Sequence, residues 1–229
     1  MTTEPSPEEQ FLSLLVRLRQ QLILAHWHRN IIKYVSNLSS DYSFELDQLP
    51  YFFRLTFHAN VFSTLVRLHT FFDRSNNLSM HSFFDFVEKN ITIMSDEAYC
   101  NRLRLKGTDA EQLQRLLKER LQITNELVQE HKAKIFGLPS KNLTIWRNNL
   151  LAHVNLNAVL EQKDYGKKYP INWTEIDTIF EELFHILNLY SIAYDASGFS
   201  WGSEHDYEIK YILETLRDEH KRRLKNMQE

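Results

Sequence analysis

Apolar residues recur at spacings of three and four along most of this chain, and no stretch alternates with the period of two that a half-buried strand requires. Ser6-Pro7-Glu8-Glu9 places a Ser N-cap, a Pro at the first helical position and a Glu at the third, which predicts a helix opened by a capping box. That helix carries Phe11, Leu14, Leu15, Leu18, Leu22 and Ala25 on one side and fades near Asn37, where Ser39, Ser40, Asp41 and Ser43 read as loop. From about Pro50 to Arg74 there are two apolar stripes. Phe52, Leu55, Ala59, Phe62 and Val66 form one, and Phe53, Phe57, Val61, Leu65, Leu68 and Phe72 the other. A helix apolar on most of its circumference is predicted to be central, with its aromatics in the core.

Ser79 caps a short helix through about Lys89, and Ser95 caps another that ends before Gly107. Thr108-Asp-Ala-Glu111 is a second capping box, predicting one long helix with Leu113, Leu117, Leu121, Thr124, Val128, His131 and Ile135 on a face. Gly137 and Pro139 close it, and Ser140 is the expected N-cap of the next. Asn155 to Asn172 reads as a loop, Thr174 to Ala196 as an amphipathic helix and Gly198 to Gly202 as a turn. Ser203 then caps a last helix that ends in a charged tail. The expected fold is all-α, an antiparallel helical bundle.

The bulk numbers narrow the picture. A chain of 229 residues supports one sizeable core, and five Gly and five Pro leave few helix breakers. No apolar run reaches a membrane span and the first ten residues do not read as a signal peptide, so no membrane association is expected. The single cysteine, Cys100, points to a reducing, cytoplasmic setting. A net charge of -3 excludes a protein that coats nucleic acid indiscriminately. His26 and His28 invite a metal reading, but two residues apart on a helix they diverge by about 200°. No Cys, His and carboxylate cluster has ligand spacing, so neither metal nor cofactor is expected.

The chemistry gathers between Ser140 and Val154. With Leu150 at the centre of the buried stripe, Leu143, Trp146 and Val154 fall within about 40° of it. Arg147 lies about 60° to one side and His153 about 60° to the other, roughly 9 Å apart along the axis. Asn149 sits one turn before His153, within reach of its imidazole. A snorkelling Arg and a hydrogen-bonded His at the edge of a stripe account for this spacing structurally. In the following loop, Lys163, Lys167 and Lys168 form either a phosphate-attracting rim or an ordinary solvated surface.

Arg147-Asn148, four further residues and His153 resemble the Arg-polar-x4-His signature of the HEPN superfamily. A second stretch, Val66 to Arg74 with its terminal Asp73, then Asn77-Leu78-Ser79-Met80 and Phe83-Phe84, resembles the abortive-infection, AbiU-like branch. The resemblance implies one helical domain over 1–229, with a core at 11–195 and a C-terminal helix and tail at 203–229. It also implies a homodimer acting as a metal-independent endoribonuclease, of toxin or phage-defence type, with a composite site. In that reading Arg147 holds the phosphate, His153 transfers protons and Asn148 is the polar helper, whereas spacing alone nominates Asn149 as the orienter. An antitoxin or regulatory protein is a further implied partner. HEPN toxins paired with a nucleotidyltransferase carry Tyr two residues after the His, and here that position is Asn155. The alternative is a non-catalytic HEPN module that binds nucleotide, RNA or protein.

Overall fold

A computed structural model describes residues 4–138, 141–146, 170–202 and 206–227. Among them every regular element is helical: α1 (Pro7–Leu38), α2 (Ser43–Gln48), α3 (Pro50–Thr70), α4 (Met80–Lys89), a 3₁₀ turn (Ile91–Met94), α5 (Asp96–Leu105), α6 (Ala110–Glu119), α7 (Asn125–Phe136), α8 (Lys141–Trp146), α9 (Trp173–Asp195) and α10 (Asp206–Asn226). The all-α fold is as expected. No helix among the described residues is long and apolar enough to cross a membrane.

The caps explain most of the boundaries. Ser6 and Glu9 form the reciprocal box, with Ser6 N donating to Glu9 Oε2 at 2.7 Å and Glu9 N to Ser6 Oγ at 3.2 Å. Ser79 and Ser95 accept from the backbone N–H groups of Ser82 and Ala98. The predicted long helix from Thr108 is two helices. Asp109, not Thr108, caps α6, and Thr124 caps α7 by accepting from Leu127 N. Between them Arg120 leaves the helical region (φ -69°, ψ 131°). Its guanidinium is only 1% exposed, and the periodicity of three and four, read from apolar residues, carries no trace of that demand.

Contacts among the described residues gather into two compact units, one within Met1–Leu22 and Val66–Ser200, the other within Ile23–Leu65 and Trp201–Glu229. In the first, α9 is the axial helix, burying Ile176, Ile179, Phe180, Leu183, Ile186, Leu187, Tyr190 and Tyr194. Helices α1 and α7 run antiparallel to it. Phe11 meets Tyr194 at 4.7 Å while Arg19, two turns further along α1, reaches back to Ser191 at 3.4 Å. On α7, His131 bonds Tyr190 and Lys134 lies 2.6 Å from Glu182. Helices α4 and α7 are antiparallel too, with His81 stacked on Phe136 at 3.7 Å and Lys132 bridging Asp85 and Glu88 at 2.8 and 2.7 Å. Aromatic edges join these helices inside: Phe11 to Phe83, Phe83 to Tyr190, Tyr190 to Phe84 and Phe84 to Phe136, at 5.2–6.0 Å.

Three basic side chains close the C-terminal end of α9. Arg120 Nε donates to Ala193 O at 2.9 Å, Arg102 Nε to Tyr194 O at 2.9 Å, and Lys106 Nζ to Asp195 O at 3.3 Å and to its carboxylate at 2.7 Å. The far ends of the two guanidiniums donate to the 3₁₀ turn, Arg102 to Ile93 O at 2.6 Å and Arg120 to Met94 O. Arg102 also lies 3.8 Å over the Tyr194 ring and Arg120 4.7 Å over Tyr99. Ala196 follows in the left-handed region (φ 61°) and ends the helix.

The interior of the second unit mixes apolar residues, among them Ile32, Leu65 and Leu213, with polar ones. Asn60 and Thr64 of α3 are buried; His28 Nδ1 and Asn60 Oδ1 are 2.7 Å apart, and Thr64 Oγ1 donates to Asn60 O at 2.8 Å. Arg217 of α10 donates to the buried Glu45 at 2.8 Å and to Asp41 O at 2.5 Å, over the ring of Tyr42 at 4.1 Å. This arrangement overturns the expectation that the first stripe of α3 is core. Phe52, Leu55, Ala59 and Phe62 are exposed, because the helix turns its Asn60–Thr64 side inward to satisfy those hydrogen bonds.

Arg120 should be the most sensitive position of the first unit. Arg120→Leu leaves two backbone carbonyls without donors and is expected to cost about 3 kcal/mol or more. Urea unfolding followed by circular dichroism measures this as a lowered midpoint at unchanged slope. Arg120→Lys, which cannot fork to both carbonyls, should recover only part of the loss.

Candidate functional site

The described part of the predicted site helix is α8. Leu143 is buried, Ile145 and Trp146 are half-buried and Thr144 is exposed. Arg147, Asn148, Asn149 and His153, together with Asn155, Lys163, Lys167 and Lys168, lie outside the described residues, as do the expected caps Ser140 and Ser203. What frames this stretch is described on both sides. Asn142 Nδ2, in the first turn of α8, donates to Pro170 O at 3.0 Å, tying the chain that leaves at Trp146 to the chain that returns at Pro170. Two residues on, Asn172 caps α9 by accepting from the N–H groups of Thr174 and Glu175 at 3.1 and 3.4 Å. One side-chain hydrogen bond thus joins the described residues on the two sides of 147–169, and the chain continues from there into a capped helix start.

The helices of the first unit hold buried titratable groups, of which the periodicity had placed His131 only as a member of a stripe. His131 is buried on α7, its Nδ1 3.2 Å from the hydroxyl of the fully buried Tyr190. Burial pulls the imidazole below its ordinary value and raises the phenol well above its own. His81 is held low as well, first by burial and then by the charge of Arg74. Both histidines are therefore kept neutral in the packed state, which suits packing and hydrogen bonding. The signal for them was weak: a His in a run of apolar positions looks the same whether its partner is water or a buried Tyr.

Other sequence candidates resolve into structural roles. His26 stacks on Trp201 at 4.0 Å while His28 bonds Asn60, so the two imidazoles serve different partners, in line with their predicted divergence. Asp73 Oδ1 accepts from Ser75 N and Ser75 Oγ at 2.9 and 2.7 Å, holding the turn after α3. Met80 N then donates to Phe71 O at 2.8 Å, folding α4 back. No group of three His, Cys, Asp or Glu suited to a metal occurs among the described residues.

A match to the AbiU2 family of HEPN proteins (HEPN_AbiU2) spans residues 8–214. The chain belongs to that family. Neither the curated proteins nor the solved structures compared with it gave a match. The AbiU2 match reaches further than the predicted 11–195 core, from the first turn of α1 into α10, and residues of both compact units fall within it. Arg147, Asn148 and His153 lie inside the matched range.

The neutral His131 carries a pH signature. Its folded pKa is depressed below about 6.5, so the unfolded chain binds the proton first as pH falls. Its contribution is complete above about pH 6.5 and declines as pH drops through that value towards the folded one, by up to about 1.4 kcal/mol per pH unit. Unfolding free energies measured from pH 8 to pH 5 should show this decline. His131→Gln, which can still bond Tyr190 but does not titrate, should make it shallower, leaving the share that His81 contributes.

Proposed function

We propose that this AbiU2-family chain is a metal-independent endoribonuclease whose reacting groups are Arg147 and His153, paired across a two-fold axis beside the helix that carries them. The observation that carries the reading is the Arg147-Asn148-x4-His153 spacing inside the AbiU2-matched residues.

The reaction needs no ion. The ribose 2′-oxygen attacks the adjacent phosphorus while a base removes its proton. The phosphorus–O5′ bond breaks as an acid protonates the departing oxygen, leaving a 2′,3′-cyclic phosphate and a 5′-hydroxyl. An imidazole near pKa 6.5 serves either proton transfer at neutral pH. One chain brings one such group, so two copies bring a base and an acid. Arg147, always charged and able to fork two donors, stabilises the phosphorane. Asn148 or Asn149 orients the imidazole, and Lys163, Lys167 and Lys168 attract the phosphate backbone. A net charge of -3 fits an enzyme that releases its product better than a protein that stores RNA. The biological setting this supports is abortive infection in the cytoplasm, with an antitoxin or regulatory protein as the further partner.

Purified protein incubated with total RNA in the presence of chelator tests the assignment. Wild type should cut and leave 2′,3′-cyclic ends. His153→Ala and Arg147→Ala should each lower the rate about 10²–10⁴-fold at unchanged helicity and mass. Arg147→Ala should also flatten the salt dependence of RNA binding. A folded His153→Ala protein with wild-type cleavage would falsify the assignment. A wild type that cuts nothing and binds nucleotide, RNA or protein through this stretch would make it a binding module.

A further inference from the structure

The second unit carries an apolar surface that its own core does not use. On α3, Tyr51, Leu55 and Phe62 lie within about 40° of one another around the helix axis, with Phe52 at the margin of their stripe. On α10, Tyr211 and Ile212 are likewise uncovered. These six side chains are between 43% and 81% exposed, Tyr51 the most. Arg54 is the single Asp, Glu, Lys or Arg from Pro50 to Val66. Next to the stripe, sharing Phe52 and Ile212 with it, opens a cavity of about 260 Å³ walled by Trp27, Tyr34 and Phe53.

We propose that this face pairs two copies of the chain about a two-fold axis, with Tyr51 of each copy filling the Trp27–Phe52–Ile212 cavity of the other. Three observations select a second copy as the occupant. The first is area. At about 200 Å² for each large side chain, the exposed fractions amount to roughly 700 Å² of apolar surface per copy, close to the roughly 800 Å² per partner of a stable interface. The second is shape. The 81% exposed Tyr51 and a cavity large enough for an aromatic ring lie on the same unit, with Phe52 at the margin of both, and a two-fold interface requires that each surface supply both halves of the contact. The third is charge. The α3 stripe carries one cation, Arg54, along four turns, and Glu208 places one carboxylate at the cavity, so the face has no net charge with which to select a charged partner and matches a second copy of itself. The aromatic composition is that of interface anchors rather than of a solvated helix face.

The pairing is independent of the ribonuclease reading, since it uses none of residues 140–154. If that helix also lies at a two-fold axis, the two interfaces together build a tetramer. Light scattering coupled to size exclusion, at micromolar concentration, tests the face directly. The double variant Leu55→Glu, Phe62→Glu should elute with half the wild-type mass and an unchanged helical spectrum, because both side chains are on the surface. Leu105→Glu, which alters an 89% exposed apolar residue of the other unit, should keep the wild-type mass. Thr56→Phe, which fills the cavity from its wall, should weaken association at least tenfold in sedimentation equilibrium. Equal masses for wild type and the double variant would overturn the interface. Undiminished association of Thr56→Phe would overturn the insertion of Tyr51.

Discussion

The first unit depends on how the C-terminal end of α9 is closed. A helix leaves its last carbonyls without intrahelical donors and carries partial negative charge there. In this chain the carbonyls of Ala193, Tyr194 and Asp195 each take a donor from a different basic side chain, Arg120, Arg102 and Lys106. Arginine is needed at the first two because each guanidinium must serve two acceptors at once. Its other end holds Ile93 or Met94 in the 3₁₀ turn. Two side chains thereby fasten the turn, α5 and the α6–α7 corner to the axial helix. The aromatic run from Phe11 to Phe136 packs along α9, so the register of the whole unit follows from where α9 ends.

The second unit is built on a different compromise. Its interior includes a His28–Asn60 hydrogen bond and the Glu45–Arg217 pair, in which the guanidinium holds the carboxyl below its usual range. Buried polar groups must be satisfied, and satisfying them fixes which side of α3 points inward. The apolar stripe is turned to the surface as a result. What would be an expensive exposure in a monomer becomes a means of association when the same face meets its own copy.

The candidate chemistry occupies the stretch between these firm elements. Residues 147–169 leave from a helix whose Leu143 is buried and return to the capped start of α9, with Asn142 and Pro170 joined at the base. The neutral, buried His131 beside Tyr190 stabilises the surrounding packing. An imidazole that moves protons needs solvent and substrate, and Tyr190 offers His131 neither.

Helix content, the capping residues Ser6, Ser79 and Ser95, and the family were legible in the residue order, because capping and amphipathic periodicity are local and each leaves a pattern within a few positions. The Arg147–His153 spacing is legible for the same reason. Tertiary structure decided the rest. The break at Arg120 follows from carbonyls on α9, some seventy residues away in sequence, and no local window contains them. The exposure of Phe52 and Leu55 follows from a hydrogen bond between His28 and Asn60, whereas apolar periodicity counts methyl groups and rings without registering where a buried amide must point. Which apolar face is core and which remains for a partner is a property of the whole set of satisfied polar groups, and that set exists only once the helices are packed.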